Sequence, residues 1–431
     1  MKVSEKLYIK NFYTIEEFDW EIKEFNVLTG GMGSGKSVCI KLLWFCERIL
    51  HTLFFYSTIT KDDMSSNAVY SRMAEAFKET FYMGDFDFSA TEIKYSYTCN
   101  GNMFDLQATW DNGSHSLRWE SRYIDSRLKI WQEFFGNDKS SKFDTSFIAS
   151  NRIYKSISKD FHKTFPIGTL FFPAARVIAA ITDNTDFLDP FVVRFIKIRK
   201  WIEHQFKNMS SEDIFDEDMT EILHAKSIRY DEKQGLQITL LNGCEISPLY
   251  LSSGQQELLY LILLMDYLKQ TSIGSEYNPI NFSNRTSVYI EEPEAHLFPQ
   301  NQKAALEYIA KTFRLFKDKR KRSDRFFITT HSPYVLNIIN NMLKKGYLIR
   351  QANECADGTQ KRQIQNAIEK INFSHLDIGE VSAHFIQKNV KDMINDREKD
   401  AYIYEQMIEN ISLSIANDCN NINELLDKLV G

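Results

Sequence analysis

The chain has 431 residues, 43% hydrophobic and 26% charged, with a formal net charge of -6 at pH 7. Those proportions fit a globular protein with a sizeable core, and the slight acidity argues against a surface coated on all sides with nucleic acid while leaving room for a local basic groove. The longest apolar run, Leu258 to Met265, is too short for a bilayer, no apolar signal core opens the chain, and the 6 scattered cysteines form no C-x-x-C pair, so the expected setting is a reduced, cytoplasmic one without membrane contact.

The first predicted element is a strand, Phe25 to Thr29, running into GGMGSGKS, Gly30 to Ser37. This octapeptide fits G-x-x-x-x-G-K-[ST] in full, with Gly30, Gly35, Lys36 and Ser37 in place and further glycines at Gly31 and Gly33. A buried helix is expected from Val38 to Phe45. Glycines let the backbone curl around phosphates, and the N–H groups of Gly30, Gly31, Met32, Gly33, Ser34 and Gly35 would donate to their oxygens beside a positive helix end. Lys36 would then meet the β and γ phosphates and Ser37 would hold Mg²⁺. A Gly-rich turn before a helix is the blander alternative; the strand, loop and helix context favours the phosphate reading.

Downstream, Ile93 to Tyr97, Met103 to Trp110 and Leu117 to Trp119 read as antiparallel strands joined by the turn compositions Asn100-Gly101-Asn102 and Asp111-Asn112-Gly113. Residues from Tyr123 to Ala225 have a mainly helical pattern interrupted by a strand-like Leu170 to Pro173, and no sustained heptad predicts a long coiled coil. The expected organisation is a discontinuous core, 1–122 and 226–431, carrying an inserted lobe at 123–225. Within that lobe Glu212 to Asp218 reads as a solvated acidic loop. Arg194, Lys197, Arg199 and Lys200, interleaved with apolar residues, read as a solvated helix face or a contact for nucleic acid or an acidic partner. Lys317 and Lys319 to Arg322 form a second basic cluster, read as a surface loop or a phosphate-tracking one.

Three further stretches follow. LSSGQQ, Leu251 to Gln256, precedes an apolar helix, and taken alone Ser252-Ser253-Gly254 is a helix N-cap. VYIEEPE, Val288 to Glu294, is a strand ending in two acids; in P-loop enzymes the first, Glu291, holds Mg²⁺ and the second, Glu292, orients and deprotonates the attacking water. The other reading of these acids is a cap on the following helix, with Glu292 and Glu294 around Pro293. TTHSP then places His331 after a strand, Phe326 to Thr330, where its position behind the acids favours a role in the site over a structural one.

In this order the four stretches resemble ABC-type ATPases. LSSGQQ is similar to their LSGGQ signature, with Ser253 in place of the first glycine. The runs LFFPAAR, EEPEAHLFPQNQ and ITTHSPYVLN, the opening LYIKNFYTIEEFDWEI and the late VSAHFIQKNVKDMINDREKDAYIYEQMIENIS look like the stand-alone members related to OLD, RecF and SMC proteins. The resemblance implies an α/β, ABC-type P-loop NTPase fold with a mixed central sheet, a flanking antiparallel β-subsheet and a mainly helical insertion. It implies ATP and Mg²⁺ as ligands, with Lys36, Glu292 and His331 catalytic and Ser37 and Glu291 on the metal. It also implies a head-to-tail dimer, or a larger homo-oligomer, in which Ser252, Ser253, Gly254 and Gln255 of one copy cover the γ-phosphate held by another.

Met32 stands where many relatives carry Asn, and Glu291 where Asp is commoner. Gln132 is the candidate for the family's Mg²⁺-sensing glutamine. OLD-type proteins carry a Toprim nuclease on the same chain, and no such acidic cluster follows His331. The resemblance therefore extends to the ATPase subunits of anti-phage systems such as Septu and PARIS, which implies a separately encoded effector, a nuclease, as partner. The competing expectation is a RecF-like repair ATPase that clamps DNA on ATP binding.

Overall fold

The computed structural model describes residues 3–54, 60–84, 86–135, 142–166, 168–176, 188–207, 222–270, 285–319, 324–371, 373–388, 390–395 and 402–403. The acidic run at 212–218, the basic residues 320–322 and most of the late run beyond 395 lie outside them.

The chain opens with a hairpin, β1 (Val3–Phe12) and β2 (Ile15–Glu21). Their side chains alternate, sending Leu7, Ile9, Phe12, Ile15, Phe18 and Trp20 to one buried face, as a half-covered sheet requires. β3 (Phe25–Thr29) is buried along its whole length and leads through the Gly-rich loop into α1 (Lys36–Phe54). Then come α2 (Ser66–Thr80), β4 (Glu92–Cys99), β5 (Asn102–Asp111) and β6 (Ser116–Glu120). The turn between β4 and β5 is the two-residue Asn100-Gly101 with φ of 47° and 91°, the left-handed pair that matches strand twist.

α3 (Arg122–Glu133), α4 (Lys142–Asp160), β7 (Gly168–Phe172) and α5 (Pro190–Lys207) occupy the stretch expected to be mainly helical. β8 (Ala225–Asp231), β9 (Gly235–Leu240) and β10 (Glu245–Ile246) form a small antiparallel sheet before α6 (Ser253–Gln270). β11 (Thr286–Glu291), α7 (Pro299–Arg314), β12 (Arg325–Thr330), α8 (Pro333–Glu354), α9 (Gly358–Glu369), β13 (Val381–Phe385) and β14 (Lys391–Asp392) follow, with a last short pair, β15 (Ile394–Asn395) and β16 (Tyr402–Ile403).

The central sheet runs β14-β13-β3-β12-β11-β7, parallel from β13 to β7 with β14 antiparallel at its edge. It is a mixed sheet. The flanking sheet, β2-β1-β4-β5-β6, is antiparallel throughout. β7 pairs with β11, so residues 168–172 of the 123–225 stretch belong to the central sheet.

Period-two alternation divides the core. Tyr289 and Phe327 face α1, the antiparallel sheet and an aromatic cluster of Phe12, Phe45, Phe77, Phe81 and Trp119. Val288, Ile290, Phe326 and Ile328 face the opposite layer of α6, α7 and α8. Every residue of α6 from Leu258 to Met265 is buried, as expected of a helix that is apolar all round, and each such side chain contributes about 1.5–3 kcal/mol.

At the N-terminal end of the parallel strands a buried charge network ties the two sheets together. Arg285 lies 2.7 Å from Glu5 Oε2 and 2.5 Å from Glu47 Oε1. Glu5 also accepts from Tyr95 (2.6 Å) and Arg325, and Glu47 from Ser287 (2.9 Å) and Tyr289 (2.5 Å). Burial pushes the Glu47 carboxyl up to about 8. Glu5 is desolvated too, but Arg285 and Arg325 outweigh that and hold it below its ordinary range.

Two sequence expectations change here. Of the α5 cations, Arg199 is buried and Arg194 lies 4.6 Å over the Trp44 ring, leaving Lys197 and Lys200 exposed; a helix that packs on two apolar layers draws its arginines inward by their stems. Lys317 is paired with Glu24 and Glu380.

Candidate functional site

Because β3, β12 and β11 are parallel neighbours, their C-terminal ends bring three segments distant in sequence to one edge of the sheet. The loop after β3 is built around its glycines. Gly30 has φ of 147°, and a Cβ there would sit 2.3 Å from the carbonyl oxygen of Ile386; Gly35 has φ of 103°, and a Cβ would meet Ile15 Cδ1 at 2.6 Å. Only glycine fits either position. Gly31, Met32 and Gly33 are exposed, Ser34 and Ser37 half-buried, and the Ser34 hydroxyl is enclosed with no bonding partner.

Lys36 folds back into this loop. Its Nζ donates to the carbonyls of Gly30 and Gly31, both at 2.9 Å, and lies 3.4 Å from His331 Nδ1. Burial lowers its pKa, while Glu292 and Glu294 act the other way. The other ring nitrogen of His331 lies 3.3 Å from Glu292 Oε1, so a continuous polar chain runs from the loop through Lys36 and His331 to Glu292.

The acids divide their work. Glu291, 4% exposed, accepts the Ala174 N–H (2.9 Å) through Oε2, and its Oε1 is buried without a partner. Glu292 adopts φ of 45°, a left-handed conformation unusual outside glycine, and its N–H donates to Thr329 O at 2.9 Å. Glu294 Oε1 accepts from Thr330 Oγ1 (2.6 Å) and from the backbone of His331 (2.8 Å) and Ser332 (3.3 Å), so it holds the loop that carries the histidine. The helix-cap reading of Glu292 and Glu294 does not hold: residues 293–296 form a turn, and α7 starts at Pro299 with Phe298 as its N-cap.

LSSGQQ caps α6 in a reciprocal box. The Gln255 N–H donates to Ser252 Oγ (3.4 Å), and the Ser252 N–H donates to Gln255 Oε1 (3.1 Å). A Cβ on Gly254 would meet Leu297 Cδ2 at 2.9 Å and His296 O at 3.0 Å, so this glycine allows the α6 tip to lie against the chain just after the acids. Ser252 and Ser253 remain exposed. Gln132 is occupied elsewhere: it lies in α3 and donates to Met64 O at 3.2 Å.

Sequence reasoning assigned no role to Arg176 or Glu257. Arg176, 1% exposed, donates to Glu291 O (2.6 Å) and Glu292 O (3.0 Å), and pairs with Glu257 Oε2 at 2.5 Å. Glu257 sits in α6, where burial raises its pKa against the opposing pull of Arg176 and His296. The available signal was an acid at the head of an otherwise apolar helix and an arginine just past a strand.

The donor set suits a nucleotide with a hard cation. Glu291 Oε1 lacks a protein partner, the Ser37 hydroxyl stands at the first turn of α1, and both are oxygen donors of the kind Mg²⁺ takes. Among the described residues no group of three or more His, Cys, Asp or Glu side chains is placed to hold a metal ion by itself. Beside the loop lies an open cleft of about 620 Å³ lined by Tyr13, Thr14, Met32, Gly33 and Ser34. No helix of the described residues is long and apolar enough to cross a membrane.

Among solved structures, the chain is similar to the SMC head domain from Thermotoga maritima, with TM-score 0.36 and 12% identity, covering 78% of this chain and 92% of that one. An SMC head bound to the C-winged helix domain of ScpA gives TM-score 0.36 and 14% identity over 78% and 91%. The recombination mediator RecF-ATPrS of the RecFOR pathway gives 0.33 and 13% over 77% and 93%. No curated protein matches significantly in sequence. Residues 1–336 match the AAA ATPase domain family, and with its P-loop, paired acids and mixed sheet the chain belongs to that family, as an ATP-binding ATPase.

Proposed function

We propose that this protein hydrolyses ATP with Mg²⁺ in sites completed by a second copy of itself, and that the change of shape controls a separately encoded effector, a nuclease, in prokaryotic anti-phage defence. The observation that carries the catalytic part is the contact of Lys36, His331 and Glu292 at one sheet edge. Lys36 is the cation for the β and γ phosphates, and the loop N–H groups from Gly30 to Gly35 cradle them. Ser37 and Glu291 would hold Mg²⁺, which would neutralise phosphate charge. Glu292 takes the proton of the attacking water, while His331 fixes that carboxylate and touches the γ-phosphate side.

Exposed apolar side chains support the composite site. Met32 in the loop is 93% exposed, Tyr250 before LSSGQQ 79%, Phe298 after the acids 76% and Tyr334 after His331 52%. Large apolar groups left in water around a charged site favour a face that a partner covers. In the head-to-tail arrangement, Ser252, Ser253, Gly254 and Gln255 of one copy meet the nucleotide of the other. The lobe at 123–225, apart from β7 and Arg176, which join the core formed by 1–122 and 226–431, is the surface offered to the effector. The defence assignment is supported by the resemblance to Septu-type and PARIS-type ATPase subunits.

Sedimentation with ATP tests this. Wild-type chain and Glu292→Gln should dimerise, and Ser252→Arg should bind ATP as a monomer with little turnover. Normal turnover in Ser252→Arg would leave LSSGQQ a helix cap only. ATP-dependent duplex binding whose log affinity falls linearly with log salt would instead place the chain with RecF-like clamps.

A further inference from the structure

The bonds around Arg176 connect two parts of the site that the sequence treats separately. Its guanidinium donates to Pro173 O (3.2 Å), Glu291 O (2.6 Å), Glu292 O (3.0 Å) and Glu257 O (3.1 Å), with its charge met by the Glu257 carboxylate. Glu257 is fully buried, and its other oxygen lies 3.2 Å from His296 Nδ1. The signature helix is thereby tied to the chain on both sides of the acid turn, by Arg176 to residues 291–292 and by His296 just beyond. Glu292 needs such support, because its left-handed φ persists only where surrounding bonds hold it.

We propose that Arg176 and Glu257 are positioning residues that couple engagement of a copy's LSSGQQ tip to the setting of that same copy's Glu292. This rests on the composite-site reading above. Ser252 and Glu257 share the start of α6, so a shift of the tip onto the partner's nucleotide moves Glu257. Arg176 carries that movement to the carbonyls of Glu291 and Glu292. Each copy lends its tip to the other's site, so each site's acids are set by the other site's nucleotide, and hydrolysis is cooperative in ATP.

The test uses the full chain. Glu257→Gln keeps the shape and most of the bonding while removing the charge. It should lower kcat by about tenfold and bring the Hill coefficient to one, with the Kd for ATP changed by less than about twofold. Arg176→Met/Glu257→Met removes the donor of four buried carbonyls as well as the ion pair, so it should lower the melting temperature and stay uncoupled. Wild-type turnover and cooperativity in Glu257→Gln would overturn the proposal, as would turnover falling only in step with thermal stability at an unchanged Hill coefficient. If Ser252→Arg also matches wild type, the composite site itself fails; if Ser252→Arg is inactive while Glu257→Gln is normal, only the coupling fails.

Discussion

The two ends of the central parallel sheet carry similar numbers of charges and put them to different use. At the N-terminal end, Glu5, Glu47, Arg285 and Arg325 are buried and bonded to one another and to Tyr95, Ser287 and Tyr289. At the C-terminal end, His331 and Glu292 are about one-third exposed, Lys36 is held only by its own loop's carbonyls and His331, and Glu291 and Glu294 each keep a buried oxygen without a partner. Ionisable residues alone do not mark a site. Solvent access to the charged groups does, since a ligand can reach His331 and Glu292 and cannot reach the network at the other end.

Breaking each end should give a different kind of loss. Lys36→Ala should abolish nucleotide binding in calorimetry with the fold intact, because no other loop cation faces the phosphates. Arg285→Met should instead lower stability by about 3–5 kcal/mol in urea melts, since buried Glu5 would lose one of its two cations and Glu47 a buried donor. Glu292→Gln should keep ATP and slow hydrolysis by on the order of 10²-fold, measured as phosphate release. The effect read most indirectly is a pH slope. Glu47 ionises near 4.5 when unfolded and near 8 when folded, so the folded chain holds the extra proton between those values and stability falls as pH rises through that window. Glu47→Gln should flatten that part of the urea-midpoint profile.

Much of this contrast was legible in the sequence where the signal is local. The Gly-rich loop requires a strand before it and a helix after it, and both are there. Asn100-Gly101 announced its turn because few other pairs accept two positive φ values. Ser252 announced a cap, and its spacing to Gln255 completes the box. What could not be read is carried by contacts between remote segments: Arg176 reaches Glu257 and Glu291, and Glu294 reaches the His331 loop. The true start of α7 was hidden because Pro293 and Pro299 are both acceptable first-turn residues, and only the left-handed Glu292 and the turn after it decide between them. The burial of Arg199 and the seating of Arg194 over Trp44 depend on segments remote in sequence, which no charge pattern within α5 reveals.

The position of β3 has a consequence for how the protein is made. Its neighbours on either side are β12 and β13; Asn26 bonds a carbonyl 300 residues further along, and Trp20 in the adjoining hairpin bonds Ser382, 362 residues away. On a ribosome adding about 5–20 residues per second, the Gly-rich loop and the apolar α1 must wait roughly tens of seconds for the strands that enclose them. The antiparallel sheet, whose strands all emerge by Glu120, can assemble early. The nascent chain would therefore carry a finished flank beside an unfinished nucleotide site, and it is the apolar helix after that loop that chaperones would have to shield until β12 and β13 have been made.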